Sequence, residues 1–320
     1  MVVTPPDAKE KEKRFAVLLP IGPKEPFERL QDLIESLLHY EPAECDVVIV
    51  NDNNPEVRQW ATQLRYPDRI RLHVVPNPRN GRGNGWAGGL ACGVIYGFQW
   101  IQIHIRPAFT LRLDADSLIC GPFADRILRA FETPAVGMLG SFEKYPDGTS
   151  RLPLGEVTDS LKYLLGKLAS PFAVFRPAPR TLYWNQGIWG RGRRRAELIR
   201  RAYRNGLPQG WHIQGGGYAV SRAALDAMFT QGLIADPYLF LHAPFGEDVV
   251  LTICVYGAGF HARDFNKAGE VFAVVNASVC FPPNTLIERG YAVVHSTKRG
   301  PAGMTETEVR KLFRELRKPE

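Results

Sequence analysis

The chain opens with two short apolar runs that are typical of buried strands. The first is Phe15–Leu19, and the second, Asp46–Val50, is followed by the turn-forming sequence Asn51–Pro55. Between these runs, apolar residues recur at helical spacing from Leu30 to Leu38. This spacing predicts an amphipathic helix between two strands that are buried on both faces.

The same alternation continues along the chain. A short helix is predicted from about Glu56 to Leu64, and the alternating segment Ile70–Val75 predicts a third strand. Strand, helix, strand, helix, strand is the order of a doubly wound, mostly parallel α/β sheet. Because ligands bind beyond the carboxyl ends of such strands, this order directs attention to Pro20-Ile21 and to Asp52.

The next segments extend this pattern. A glycine-rich stretch from Gly81 to Gly89 leads into a predicted helix, and the buried strand Phe109–Leu113 runs directly into Asp114-Ala115-Asp116. Val136–Leu139 predicts another strand, whereas the residues from about 141 to 214 are less regular. Helices are then predicted near residues 222–229 and 247–256.

The C-terminal residues predict a separate helix. Thr305 and Glu308 have the spacing of a capping box, and a stripe of apolar residues follows from Val309 to Leu316, surrounded by arginine and lysine. A helix docked on the core is the favoured interpretation, and a helix that lies on a membrane surface is the alternative. Since this helix follows all the motifs, we expect it to be dispensable for chemistry.

Composition narrows the class of protein. The chain has 320 residues, 45% of them hydrophobic, a net charge of +7 and five scattered cysteines without a Cys-x-x-Cys pair. This composition predicts a globular protein with reduced cysteines and argues against a zinc ribbon. No run of about 18 apolar residues and no secretory signal is present, so we expect a cytoplasmic protein that allows peripheral membrane contact.

Asp114-Ala115-Asp116 is the first candidate site. In an extended segment residues i and i+2 point to the same side, so both carboxylates can face one hard cation such as Mn²⁺ or Mg²⁺. The competing interpretation is an acidic turn that caps the next helix. The position of the motif directly after a buried strand favours the metal site.

Three further motifs contain candidate catalytic or ligand-binding residues. Glu247-Asp248 opens a predicted helix, where the carboxylates either stabilise the helix N-terminus or act as a base. Gly215–Gly217 allows close approach of the backbone to a ligand, or is only a flexible connection. His295 follows a short apolar run and is a structural histidine or a third ligand of the same cation.

Taken together, and in this order along the chain, the motifs resemble the GT-A glycosyltransferases, most of all the inverting family 2 enzymes, over roughly residues 14 to 298. The glycine loop with Gly-Glu-Asp is also similar to the fringe-like transferases. The resemblance implies a nucleotide-diphosphate sugar donor (a UDP- or GDP-sugar), a Mn²⁺ or Mg²⁺ ion, and Asp248 as the base. Asp114, Asp116 and His295 are the implied metal ligands.

The resemblance also implies where the substrates bind. The residues expected at the nucleotide-sugar site are Pro20, Ile21, Asp52, Arg82, Asn84, Asp114, Ala115, Gly216 and Gly217. The expected acceptor residues are Glu247 and three tryptophans, Trp184, Trp189 and Trp211, because sugars expose flat apolar faces. The acceptor is a glycan, a lipid-linked molecule or a small molecule. A Gln-x-x-Arg-Trp motif is absent, which argues against a processive polysaccharide synthase.

These expectations divide the chain into a solvated tail (1–13), a nucleotide-sugar-binding half (14–140), an acceptor-binding and catalytic half (141–304) and the C-terminal helix (305–320). Two alternatives stay open. A sugar-phosphate nucleotidyltransferase shares the sheet, but the loop after the first strand fits that class poorly. The arginine- and tryptophan-containing segment 180–204 suggests single-stranded nucleic acid as a partner, although the charge excess is small for a dedicated binder and none is expected.

Overall fold

A computed structural model describes residues 15–64, 66–83, 85, 87–151, 191–242 and 245–317. Its first part alternates strands and helices as the sequence predicts. The elements are β1 (Phe15–Ile21), α1 (Phe27–Tyr40), β2 (Cys45–Asn51), α2 (Val57–Gln63), β3 (Ile70–Pro76), α3 (Gly88–His104), β4 (Phe109–Leu113), β5 (Leu118–Ile119), α4 (Ala124–Ala130) and β6 (Val136–Gly140).

The second described part adds strands to the same fold. Its elements are α5 (Arg191–Arg204), β7 (Gly217–Ser221), α6 (Arg222–Thr230), α7 (Glu247–Gly257), β8 (His261–Asp264), β9 (Phe272–Val274), α8 (Pro283–Glu288), β10 (Val293–His295), a 3₁₀ turn (Pro301–Gly303) and α9 (Glu306–Leu316). The predicted strands and helices are therefore present in both parts of the chain.

Seven strands form the central sheet in the order β3-β2-β1-β4-β7-β6-β8. Neighbouring strands are parallel except at β7, which is antiparallel to both β4 and β6. The fold is thus α/β with a mostly parallel sheet, as the sequence predicts. Since β4 and β7 pair with each other, the two predicted halves of the chain share one sheet.

Both faces of the sheet are covered by helices. On β1, Ala16 and Leu18 face a core formed with α3, α5, α6 and α7, whereas Val17 and Leu19 face a second core formed with α1, α2 and α4. Alternate side chains of a strand point to opposite faces, so a continuous apolar run is needed to supply both cores. The unbroken run Phe15–Leu19 meets this requirement.

A smaller sheet, β5-β10-β9, lies beside the main one and carries the C-terminal helix. In α9, Val309 and Phe313 are buried against Leu286 and Tyr291, and the capping box of Thr305 is formed. This helix is therefore docked on the core. No helix in the described ranges is long and apolar enough to cross a membrane.

Candidate metal centre and catalytic site

Asp114, Asp116 and His295 meet at the carboxyl end of β4. Both aspartates follow the strand directly, and His295 is the last residue of β10 in the neighbouring small sheet. The His295 Nε2 atom lies 3.5 Å from Asp114 Oδ2 and 3.4 Å from Asp116 Oδ2. One ligand atom from each of the three residues falls within 4.8 Å of the others. The spacing would suit one small cation between them.

The His295 ring is held in the orientation that a metal ligand needs. Its Nδ1 atom lies 2.8 Å from the Val275 carbonyl oxygen, which can only accept, so Nδ1 carries the hydrogen and Nε2 faces the carboxylates. Burial disfavours the charged ring, but hydrogen bonds to Asp114 and Asp116 raise the pKa of His295 to about 9. Without a metal, Nε2 therefore holds a proton, which a cation would displace.

The Asp116 carboxylate is more deeply buried than that of Asp114. Burial opposes its ionisation, yet the hydrogen bond with His295, the Ser296 hydroxyl at 2.5 Å and the Lys298 ammonium at 3.2 Å lower its pKa below the usual range. Only Lys298 among these partners is well exposed. The Asp116 carboxylate is therefore ionised at neutral pH and available as an oxygen ligand.

Arg112 is a buried cation beneath this cluster, and the sequence motifs assigned it no role. Its side chain is 0% exposed, and Nη2 lies 2.7 Å from Asp114 Oδ1 and 2.9 Å from Glu247 Oε1. Its guanidinium also lies over the Tyr218 ring at 5.7 Å from the centroid. An arginine within a buried apolar strand is rare unless it is paired, which is the signal in the sequence that identifies Arg112.

Glu247 is held against Arg112 below the surface of the site. Its side chain is 5% exposed, and burial raises its pKa to about 7, although the Arg112 charge acts in the opposite direction. For Asp114, burial opposes ionisation, but the charge of Arg112 and the hydrogen bond with His295 lower its pKa. One guanidinium thus links the Asp-Ala-Asp segment to the start of α7.

The glycine loop joins the cluster to α7. Gly216 has φ +97°, and a Cβ atom there would lie 2.3 Å from the His295 ring. The Gly216 carbonyl accepts from the Asp114 amide at 3.0 Å, and the Gly215 amide donates to Asp248 Oδ2 at 2.9 Å. A side chain at Gly216 would displace His295, so the glycine is needed for close packing as well as for its backbone angle.

Asp248 lies at the N-terminus of α7 and beside the glycine loop. Its Oδ1 atom accepts from the Val249 amide at 2.8 Å, and Oδ2 lies 3.8 Å from His212 Nε2. Its side chain is 14% exposed, more than that of Glu247. His212 was not singled out in the sequence, because no pattern along the chain connects it to residues 36 positions later.

A cavity of about 150 Å³ lies at the carboxyl ends of β1 and β2. Pro20, Ile21 and Asp52 line this cavity. The sequence predicted that all three residues lie at the ends of strands. Asp52 accepts two hydrogen bonds from Arg79, at 2.7 and 2.6 Å, which fixes its carboxylate against the loop after β3. The bidentate partner Arg79 also lines the cavity and was not predicted.

The other predicted residues have varied positions. Arg82 is exposed and stacks on Tyr238, Ala115 is buried, and Gly217 begins β7 against Leu113. Trp211 packs on Phe142 at the edge of the core. The remaining three predicted residues, Asn84, Trp184 and Trp189, lie outside the described residues.

The site thus combines three parts at the edge of the sheet where parallel strands end. These are the residues Asp114, Asp116 and His295, which could bind a cation and are called the cation cluster here, a glycine loop, and a carboxylate at a helix N-terminus. Comparison with protein-family models gave no match, and comparison with curated protein sequences gave no significant match. The geometry of these residues is therefore the basis for assigning a function.

Proposed function

We propose that this chain is a metal-dependent glycosyltransferase of the GT-A type, which transfers a sugar from a nucleotide diphosphate to an acceptor hydroxyl. The observation that carries the proposal is the cluster of Asp114, Asp116 and His295 beside Gly216 and Asp248. Transfer from a sugar diphosphate needs a cation for the leaving group and a base for the nucleophile. This site offers residues suited to both.

Asp116 and His295 would hold the cation directly, and Asp114 would contact both the cation and the donor ribose. Two carboxylates and one neutral imidazole form a donor set that accepts Mn²⁺ or Mg²⁺, which prefer oxygen ligands. When bound, the cation would stabilise negative charge on the departing diphosphate. The Val275 carbonyl keeps the His295 ring oriented, and Ser296 orients Asp116.

The base of the nucleotide would occupy the cavity next to Asp52, which at about 150 Å³ is too small for the whole nucleotide. Pro20 and Ile21 supply an apolar wall for a base, and the Asp52–Arg79 pair supplies acceptors and donors for a ribose or base edge. Because Arg79 already occupies both Asp52 oxygens, these two residues would act as one unit. The donor is a UDP- or GDP-sugar.

Asp248 is the proposed base of an inverting, single displacement. The bond from the acceptor oxygen to the anomeric carbon forms as the bond from that carbon to the diphosphate oxygen breaks, and the hydroxyl proton moves to Asp248. Each Asp248 oxygen accepts one backbone hydrogen bond, which leaves lone pairs for the acceptor. Glu247 is held by Arg112 below the surface and is less accessible.

A thermal-shift screen of nucleotide sugars, with and without Mn²⁺, tests the proposal. A ligand that binds only the native state raises the apparent melting temperature by mass action, so one donor should stabilise the protein in a metal-dependent manner. Release of the free nucleotide diphosphate on addition of acceptor would then report transfer. If no nucleotide sugar stabilises the protein with Mn²⁺, the proposal fails. Release of pyrophosphate from a nucleoside triphosphate and a sugar phosphate would instead identify a nucleotidyltransferase.

A further inference from the structure

A groove lies next to Val275, the residue whose carbonyl oxygen orients the His295 ring. In the sheet order β3-β2-β1-β4-β7-β6-β8, Asp52 follows β2, the second strand from one side, and Asp114 follows the central strand β4. The hairpin of residues 144–150 follows β6, the second strand from the other side, and forms one wall of the groove, whose volume is about 410 Å³. This volume is within the usual range of ligand sites.

Two hydrogen bonds connect the groove to the proposed catalytic centre. Val275, in the groove wall, accepts from His295 through its carbonyl oxygen at 2.8 Å. Its neighbour Asn276 accepts from the Gln214 amide through Oδ1. Gln214 immediately precedes Gly215, whose amide donates to Asp248. One end of a molecule in the groove would therefore lie beside Asn276 and Gln214, next to the loop that holds Asp248, whereas the His295 ring separates it from the cation-facing Nε2 atom.

The lining favours a neutral molecule with many hydroxyl groups. Tyr145, Asp147, Asn276 and Ser278 supply hydrogen-bonding groups, whereas Val275 and Pro301 supply apolar surface. Within the described ranges, no lysine or arginine lines the groove and Asp147 forms no ion pair. An acceptor phosphate would thus meet a carboxylate without a compensating cation, which is unfavourable.

We propose that this groove binds a neutral sugar acceptor and presents one hydroxyl to Asp248. The inference rests on the proposed glycosyltransferase function. With the nucleotide next to Asp52 and the diphosphate at the cation, the acceptor would approach from the opposite side, as an in-line displacement requires. Asn276 and Asp147 would bind its other hydroxyls, and Val275 would contact an apolar face.

Acceptor kinetics with groove variants test the assignment. The probes are octyl glycosides of neutral hexoses and the same glycosides phosphorylated at the 6-position, used with the donor from the thermal-shift screen. Ser278→Trp fills the groove, and Asp147→Lys reverses its charge. For Ser278→Trp, we expect kcat/KM for neutral glycosides to fall about 10-fold or more, because a misplaced hydroxyl loses its reactive geometry. Donor affinity in a Mn²⁺-dependent titration should stay close to that of the wild type.

Asp147→Lys should shift the preference from neutral towards phosphorylated glycosides. Ser150→Trp is the matched control, because Ser150 is exposed on the same hairpin as Asp147 and is not among the described residues that line the groove; its acceptor kinetics should equal the wild type. The assignment is overturned if folded Ser278→Trp and Asp147→Lys keep wild-type acceptor kinetics, or if the wild type prefers phosphorylated glycosides. Absence of Mn²⁺-dependent donor binding in the wild type would instead overturn the glycosyltransferase function itself.

Discussion

Two buried aspartates of this protein have very different surroundings. Asp32 of α1 is surrounded by two arginines of α9 and the arginine that follows it, with Arg310 Nη1 at 2.9 Å, Arg314 Nε at 3.7 Å and a hydrogen bond from Arg317. Asp116 instead faces a second carboxylate through the ring of His295. Both side chains are about equally buried, at 5% exposure.

The difference teaches how a structural ion pair is distinguished from a candidate ligand site. The Asp32 charge is compensated by permanently charged guanidinium groups, which cannot be exchanged for a cation. Asp116 shares its site with Asp114 and with an imidazole whose proton is removable, and the one permanent cation within salt-bridge distance among the described residues, Lys298, is an exposed side chain. Two carboxylates around one displaceable proton form a site for a cation, whereas one carboxylate among three arginines holds a helix in place.

Asp116→Ala is expected to have the largest effect. The substitution removes a proposed direct ligand, so Mn²⁺ affinity should fall by more than the ~10–100-fold that is typical when only a supporting partner is lost. Isothermal titration with Mn²⁺ measures this loss. Asp32→Asn, at the other buried aspartate, should leave Mn²⁺ affinity unchanged in folded protein. Equal Mn²⁺ binding by Asp116→Ala and wild type would remove the basis for this comparison.

Asp248→Asn separates a base from a structural role at the start of α7. Gly246 is the N-cap, and asparagine keeps one of the two Asp248 oxygens that accept backbone hydrogen bonds, so a structural role alone predicts a folded, less stable variant with near-normal turnover. The base role predicts a folded variant that binds donor but has a kcat lower by ~10²–10⁴-fold. Single-turnover kinetics with saturating donor measure the difference. Inversion at the anomeric carbon is expected in the product, and retention would exclude a single displacement.

Arg112→Met tests the buried cation below the site. Removing one partner leaves Glu247 and Asp114 without a compensating charge, which typically destabilises a protein by about 3–5 kcal/mol. Chemical denaturation measures this loss. The double variant Arg112→Met/Glu247→Gln removes the excess buried charge as well and should be more stable than Arg112→Met. A double variant that is no more stable would show that the pairing with Glu247 is not the cause.

Val309→Ala tests the docking of α9. Val309 is fully buried, so loss of two methyl groups should destabilise the protein by about 2 kcal/mol through lost burial and a small cavity. Leu316→Ala is the control on the same helix, because Leu316 is 44% exposed and should change stability by less than about 0.5 kcal/mol. Thermal denaturation compares the two. Equal losses would indicate that the helix is not docked in this manner.

The metal-free protein should lose stability as the pH rises through the titration of His295. The pKa of His295 is raised from 6.5 to about 9 in the fold, so its contribution is complete below pH 6.5 and is lost between 6.5 and 9. Melting temperatures in chelator across this range measure the effect. His295→Gln should flatten the profile, and an unchanged profile in that variant would assign the loss to another group. Mn²⁺ affinity should rise over the same interval, because the ion displaces the proton.

The local elements could be predicted because their causes are local. Continuous apolar runs such as Phe15–Leu19 predicted strands buried on both faces, and the spacing of Thr305 and Glu308 predicted the capping box that α9 has. The location of Asp114-Ala115-Asp116 at the end of a buried strand was predicted from the apolar run Phe109–Leu113 that precedes it. That α9 is dispensable for chemistry stays a prediction. Arg310 of α9 donates a hydrogen bond to the Ala115 carbonyl, so the helix contacts the residue between the two aspartates.

The sequence by itself determined the order of strands and helices, and it indicated the residue types from which a cation site can be built. Only the tertiary structure decided which of them meet. It brought His295 against Gly216 and Asp114, paired Asp52 with Arg79, and set Arg112 between two carboxylates. The physical reason is that strand identity depends on neighbours along the chain, whereas these contacts depend on sheet order and close packing between segments far apart in sequence.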